Sequence, residues 1–279
     1  MRFVLLVFFA ICGLAVCSCR EIPASDALQI PHPDDASKQV EYFIEKPDGN
    51  GPWPTIIFLH GHQQSPRRGG QDFVDWGVLK QFANRGFLSV AISQPGYGNS
   101  TGPSDYCGEF SQLSVTAVIE KLRSDGQSTP DKLILVGISR GALTAGLVAS
   151  HDPSVAGMVL ISGVCDLPAY AADTNPSSAK QSIIASMNVE TGGTVDALNA
   201  RSVLRFASAI KGKSLILNGE QDDRTDPDQA QRLADAINSK GGNARAIIYP
   251  DVGHKIPVDL RNKDIDPFID ELLKPIAPQ

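Results

Sequence analysis

The chain has 279 residues, enough for one α/β domain with a sizeable core, and its 42% hydrophobic content is that of a globular protein. A formal net charge of -6, with no run of Lys or Arg, argues against nucleic acid as a partner. No internal repeat, phosphate loop or dinucleotide fingerprint is present, and no His/Cys cluster has metal-ligand spacing, so neither metal nor cofactor is expected.

Met1-Arg2 followed by the apolar stretch Phe3 to Val16 fits a signal-peptide core and is short for a membrane span. Residues 1–19 are therefore expected to be a signal peptide, with export to a periplasm-like compartment. Val16-Cys17-Ser18-Cys19 loosely matches a lipobox, which makes Cys19 the expected site of any lipid anchor; Leu14-Ala15-Val16-Cys17 is the rival match. Residues 20–38, rich in Pro and Asp, are expected to be a tether. Beyond the signal, Cys107 and Cys165 are the thiols available for a disulfide, a pairing that the spacing leaves open.

Gln39 to Lys46 alternates as a half-exposed strand and runs into the turn Pro47 to Gly51. Thr55 to Leu59 reads as a buried strand ending in His60-Gly61-His62. Phe73 to Asn84 has helical spacing and stops at Arg85-Gly86. Phe87 to Ile92 is another buried strand, followed by the loop Ser93 to Ser100. Leu113 to Leu122 is helical. The strand Leu133 to Val136 precedes Gly137-Ile138-Ser139-Arg140-Gly141, and the helix Ala142 to Ser150 follows it. Ala156 to Ser162 and Ser214 to Asn218 are strands, Asp228 to Ser239 is an amphipathic helix, and Ala244 to Tyr249 is the last strand. Pro267 to Leu273 is read as the last helix, with Asp266 as its N-cap. Short apolar strands alternating with helices imply a mostly parallel sheet covered on both faces. The long Ser/Ala/Asn-rich interval of about 164–213 is expected to form a small cap over the strand ends, and residues 39–279 to form one domain with that insertion.

Gly-x-Ser-x-Gly between a buried strand and a helix has the form of a nucleophile elbow. The pattern alone is weak; its partners come in order, each after its own strand. Asp222 follows Leu215 to Asn218 and Gly219, and His254 follows Ile247 to Tyr249 and Gly253. A serine hydroxyl needs a base within reach, which an imidazole supplies near neutral pH, and a carboxylate to hold the imidazole tautomer. Ser139 is the candidate nucleophile and His254 the candidate base. Asp222 is the candidate acid with Asp223 as rival, while Asp226 is read as a helix N-cap and Asp251 as facing solvent.

These segments, with Phe58-Leu59-His60-Gly61 and Gln94-Pro95-Gly96-Tyr97-Gly98-Asn99-Ser100, resemble the α/β-hydrolase superfamily over roughly Glu41 to Leu273, nearest the dienelactone-hydrolase and prolyl-oligopeptidase-like groups. The resemblance implies an oxyanion hole made by the backbone N–H of Arg140 and that of His62, with Gln63 as the alternative. It implies a serine esterase or, as runner-up, a small serine peptidase, acting on a small-molecule ester or short peptide. The short interval Arg20 to Lys38 leaves no expected room for the propeller that accompanies prolyl oligopeptidases. A binding protein that keeps the fold without hydrolysis, and a perhydrolase using the same triad, are the further alternatives. Tyr97 is placed at the substrate pocket, with loop packing as its other reading. The Arg140 side chain is read as a structural ion pair before a substrate contact.

Overall fold

The structure, a computed structural model, describes residues 26–273. The expected signal peptide and Cys19 lie outside the described residues.

Eight strands form one sheet: β1 (Leu28–Pro31), β2 (Gln39–Glu45), β3 (Trp53–Leu59), β4 (Leu88–Ile92), β5 (Ser128–Ile138), β6 (Val155–Ile161), β7 (Lys213–Gly219) and β8 (Ala244–Tyr249), in the order β1-β2-β4-β3-β5-β6-β7-β8. β1 and β2 are antiparallel to their neighbours; β3 to β8 run parallel. This is the α/β-hydrolase architecture that the alternating apolar strands and helices imply. The parallel strands are near-continuous Val, Ile and Leu because helices cover both faces. In β3, Ile57 and Leu59 pack on one face, with helices α3 (Glu109–Ser124), α4 (Arg140–His151) and α8 (Asp228–Ser239). Ile56 and Phe58 pack on the other, with α1 (Gln71–Asp75), α2 (Val78–Ala83) and α9 (Val258–Leu273).

Several elements differ from the sequence expectation. β2 is buried over Val40 to Phe43 because β1 pairs along its outer side, taking the edge that alternation alone would assign to β2. β1 itself lies in the interval expected as a tether. Just after it, His32 is buried, stacks on the Phe110 ring at 3.5 Å and bonds the Phe110 carbonyl at 3.0 Å. The single helix expected over Phe73 to Asn84 is two, since Gly77 between them sits at φ 71, which no right-handed helix accommodates. The last helix starts at Val258, well before Pro267, which lies inside it. Pro267 breaks one rung of the hydrogen-bond ladder. Buried Ile265 and Ile269 hold the turns on either side, and Arg85 binds Asp266 at 2.6 Å and Asp270 at 2.9 Å. Asp266 is thus an ion-pair partner and not an N-cap.

The interval between β6 and β7 holds α5 (Leu167–Ala171), α6 (Ser178–Thr191), α7 (Val195–Asn199) and a 3-10 segment, Val203–Ala209. Cys107 and Cys165 are buried free thiols that donate to the carbonyls of Arg140 and Gln229, so the disulfide left open by the sequence is not formed. No helix among the described residues is long and apolar enough to cross a membrane.

Candidate active site

Ser139 stands between β5 and α4 at φ 53, ψ -119, a strained conformation for a residue with a side chain. Its amide donates to the Ile161 carbonyl at 2.7 Å, which fixes the turn from the neighbouring strand. The flanking glycines are required by close approach. A Cβ at Gly137 would come within 2.2 Å of the Gly141 carbonyl oxygen, and one at Gly141 within 2.2 Å of the Leu59 carbonyl oxygen. The strand and helix therefore meet backbone to backbone, and the Ser139 side chain is pushed clear of the sheet end.

Asp222 and His254 arrive from loops after β7 and β8. Gly219 makes that junction, since a Cβ there would sit 2.2 Å from the Val252 carbonyl oxygen. His254 Nε2 lies 3.1 Å from Ser139 Oγ, and Nδ1 lies 3.0 and 2.9 Å from the two Asp222 carboxylate oxygens. With Nδ1–H donating to Asp222, the Nε2 lone pair faces the serine hydroxyl. Ser162 Oγ donates to the His254 carbonyl at 3.0 Å and holds its backbone.

The Asp222 side chain is fully buried. Burial pushes its pKa up, but hydrogen bonds from His254 and Thr225 outweigh that, and the carboxyl is held below its ordinary value. Its oxygens accept from the Thr225 hydroxyl at 2.6 Å and from the amides of Arg224 at 2.9 Å and Thr225 at 3.0 Å. Asp223, the rival acid, is exposed. Asp226 does not cap α8, whose N-cap is Pro227; its carboxylate binds the Lys180 ammonium at 2.7 Å. Asp251 is exposed and accepts from the Gln221 amide at 3.1 Å.

On the other side of Ser139, the turn after β3 is locked by His60. Burial drives the His60 pKa down to about 4, so the ring is neutral: Nδ1 bonds the Gly61 carbonyl at 2.8 Å and Nε2 accepts from the Gln94 amide at 3.0 Å. The Gln94 side chain returns to the His60 carbonyl at 2.6 Å and accepts from Thr144 of α4 at 2.8 Å. This fixes the turn against the elbow. The Arg140 amide opens α4 and has no preceding helical turn to bond. The His62 amide donates to no protein group among the described residues.

Tyr97 does not line the cavity at Ser139. It is buried, and its hydroxyl meets His62 Nδ1 at 3.0 Å. The cavity, about 320 Å³, is lined by His62, Gln64, Tyr106, Arg140, Leu143, Val164, Arg224 and Thr225 and by one stripe of α6, Ala179, Ser182, Ile183 and Ser186. The spacing of that stripe puts it on one helical face.

α6 carries two charges, Lys180 and Glu190, and both are paired. Lys180 is buried, binds Asp173 at 2.6 Å as well as Asp226, and lies 4.7 Å from the Tyr170 ring centre. Glu190 takes both terminal nitrogens of Arg140, one at 2.9 Å, and accepts from the Tyr106 amide at 2.9 Å. One end of α6 is thus bound to the loop that carries Asp222 and the other to the elbow that carries Ser139. The sequence favours an ion pair for the Arg140 side chain, and one forms; it identifies neither the Glu190 partner nor the Lys180 contacts. The available signal is two isolated charges in an otherwise Ser/Ala-rich helix.

Compared with known proteins, residues 107–273, more than half of the chain, match the profile described as "Prolyl oligopeptidase family". The peptidase YuxL of Bacillus subtilis, itself uncharacterised, is 23% identical over 85% of this chain and 36% of its own length. The chain spans about a third of the length of YuxL and of two further curated relatives that it matches, 32–36%. The acylaminoacyl peptidase of Pyrococcus horikoshii superposes with a TM-score of 0.73 at 16% identity, over 91% of this chain and 42% of that one. Acetyl xylan esterase 1 from Thermoanaerobacterium superposes with a TM-score of 0.71 at 17% identity, over 92% and 86%. At these identities the superpositions establish the shared fold.

Proposed function

The chain belongs to the prolyl oligopeptidase family of serine hydrolases, and on that premise we propose that it is an exported esterase that cleaves carboxylic esters through an acyl-enzyme on Ser139. The observation that carries this reading is the continuous chain of hydrogen bonds from Ser139 Oγ through His254 to buried Asp222, beside a cavity. His254 Nε2 takes the hydroxyl proton as Ser139 Oγ attacks the ester carbonyl. The oxygen that becomes negative is met by the amides of Arg140 and His62; one such donor is worth about 3 kcal/mol in the transition state. Asp222 stabilises the imidazolium, which then returns its proton to the departing alcohol. Water, deprotonated by the same imidazole, releases the acid and regenerates the serine.

The ester preference is supported by an esterase among the proteins that share the fold. Acetyl xylan esterase 1 superposes over 92% of this chain. The family profile and the peptidase relatives favour the second reading, a serine peptidase. Export rests on Met1-Arg2 and the apolar stretch Phe3 to Val16.

A matched panel separates the two substrate classes: nitrophenyl esters and nitroanilides of the same acyl and aminoacyl groups. With each rate normalised to that substrate's alkaline hydrolysis, the expected result is kcat/KM at least about 100-fold higher on the esters. Aminoacyl nitroanilides turned over as fast as the corresponding esters would make the peptidase reading the correct one.

A further inference from the structure

The Arg140 side chain does something its backbone amide does not require. It lines the same cavity as Ser139, yet the side chain is only 10% exposed. Glu190 engages one N–H on each terminal nitrogen, and the Tyr106 ring lies 4.6 Å from the guanidinium carbon. A guanidinium has more donors than one carboxylate can take. The Cys107 sulfur, a weak acceptor, stands beside it. Among the described residues no oxygen or nitrogen accepts from Nε or from the second hydrogen of either terminal nitrogen. A guanidinium that has lost most of its water keeps its donors bonded. Whatever fills the cavity must supply an acceptor there.

The rest of the wall restricts what that occupant is. Tyr106, Leu143, Val164 and Ile183 present hydrocarbon, and the exposed Arg224 presents a second cation. The Ser182 hydroxyl donates to the Ser178 carbonyl at 3.0 Å, so it offers the cavity lone pairs and not its proton. Glu190 already balances the Arg140 charge, and a second carboxylate at Arg140 would lie against Glu190 as a like charge. Arg140 adjoins the nucleophile in the chain, so an acceptor it reaches lies near the carbon that Ser139 attacks. We infer that Arg140 is a specificity-determining residue that selects substrates whose acyl group carries a neutral oxygen acceptor, an ether, keto or hydroxyl oxygen, a few bonds from the scissile carbonyl. This rests on the serine-hydrolase reading of Ser139.

The test uses isosteric pairs of nitrophenyl esters: 3-methoxypropionate against pentanoate, and 4-methoxybutyrate against hexanoate, each normalised to its alkaline hydrolysis rate. The wild-type protein is expected to favour each ether over its alkyl partner by about tenfold in kcat/KM, the effect of one hydrogen bond from a charged donor. The half-ester of glutarate, an anion of similar length, is expected to fall below 3-methoxypropionate. The double variant Arg140→Leu/Glu190→Leu removes both charges and strands neither; its ether-to-alkyl ratio should drop to near one. Wild-type ratios near one, or a preference for the glutarate half-ester, overturn the inference, and neither result depends on the variant folding. Ester turnover and fluorophosphonate labelling with ratios near one leave the serine-hydrolase reading standing and remove only this inference. Absence of both turnover and labelling removes both.

Discussion

Replacing His254 by alanine is expected to lower kcat on a nitrophenyl ester by on the order of a million-fold while the protein remains folded. Among the described residues the imidazole is the one group that touches both Ser139 Oγ, at 3.1 Å, and Asp222, at 2.9 Å. Without it the serine proton has no acceptor at the moment of attack, and no acid protonates the leaving alcohol. The other nearby imidazoles are not substitutes. His60 is buried, neutral and bonded at both nitrogens, and His62 holds the Tyr97 hydroxyl. The fold should tolerate the change because the His254 loop is held through backbone atoms, by Ser162 at its carbonyl and by the Gly219 junction. Steady-state kinetics with circular dichroism on the variant check this. Loss of less than about a hundredfold would mean that another base serves Ser139.

The second large effect is expected from Asp222→Asn, which should reduce kcat by about ten-thousand-fold. Every neighbour of the Asp222 carboxylate is a donor: the amides of Arg224 and Thr225, the Thr225 hydroxyl, the Asn218 amide and His254 Nδ1. The NH2 group that the substitution introduces has no acceptor there unless the Thr225 hydroxyl rotates or His254 changes tautomer. The changed tautomer turns Nε2–H toward Ser139 and abolishes the base. The stability loss should be only about 1 kcal/mol, since the hydroxyl can adapt. Steady-state kinetics and denaturant titration of the variant measure the two effects separately.

The same carboxylate sets an acid limit. Its folded pKa is depressed, so the stability it contributes is present above the ordinary carboxylate value of 3.8 and is lost as pH falls through the lower folded value. Denaturant titrations of wild type and variant should therefore converge in strongly acidic solution.

Most of the sheet is legible from the sequence because buried parallel strands are apolar throughout and turns mark their ends. β3 to β8 all appear at the predicted places, though β5 extends well beyond Leu133 to Val136. The triad residues are legible for a related reason: each lies just past the end of its own parallel strand, where chain order carries spatial order. What escapes depends on contacts between distant segments. β1 has too little pattern to separate it from a linker until β2 offers its edge. Pro267 argues locally for a helix start, while two buried isoleucines and Arg85 determine that the helix runs through it. The loop around Tyr97 suggests a place at the pocket, yet the buried hydroxyl bonds His62. The Lys180–Asp226 and Arg140–Glu190 pairs join residues 46 and 50 positions apart, beyond the reach of any periodicity. These pairs bind the cavity-lining helix to both halves of the site.

The central claim is that Ser139 is the nucleophile, and covalent labelling tests it most directly. The wild-type protein treated with a fluorophosphonate, digested and mapped by mass spectrometry should carry the adduct on the peptide containing Ser139. Ser139→Ala should take up none. An adduct on another residue, or undiminished labelling of Ser139→Ala, would contradict the account.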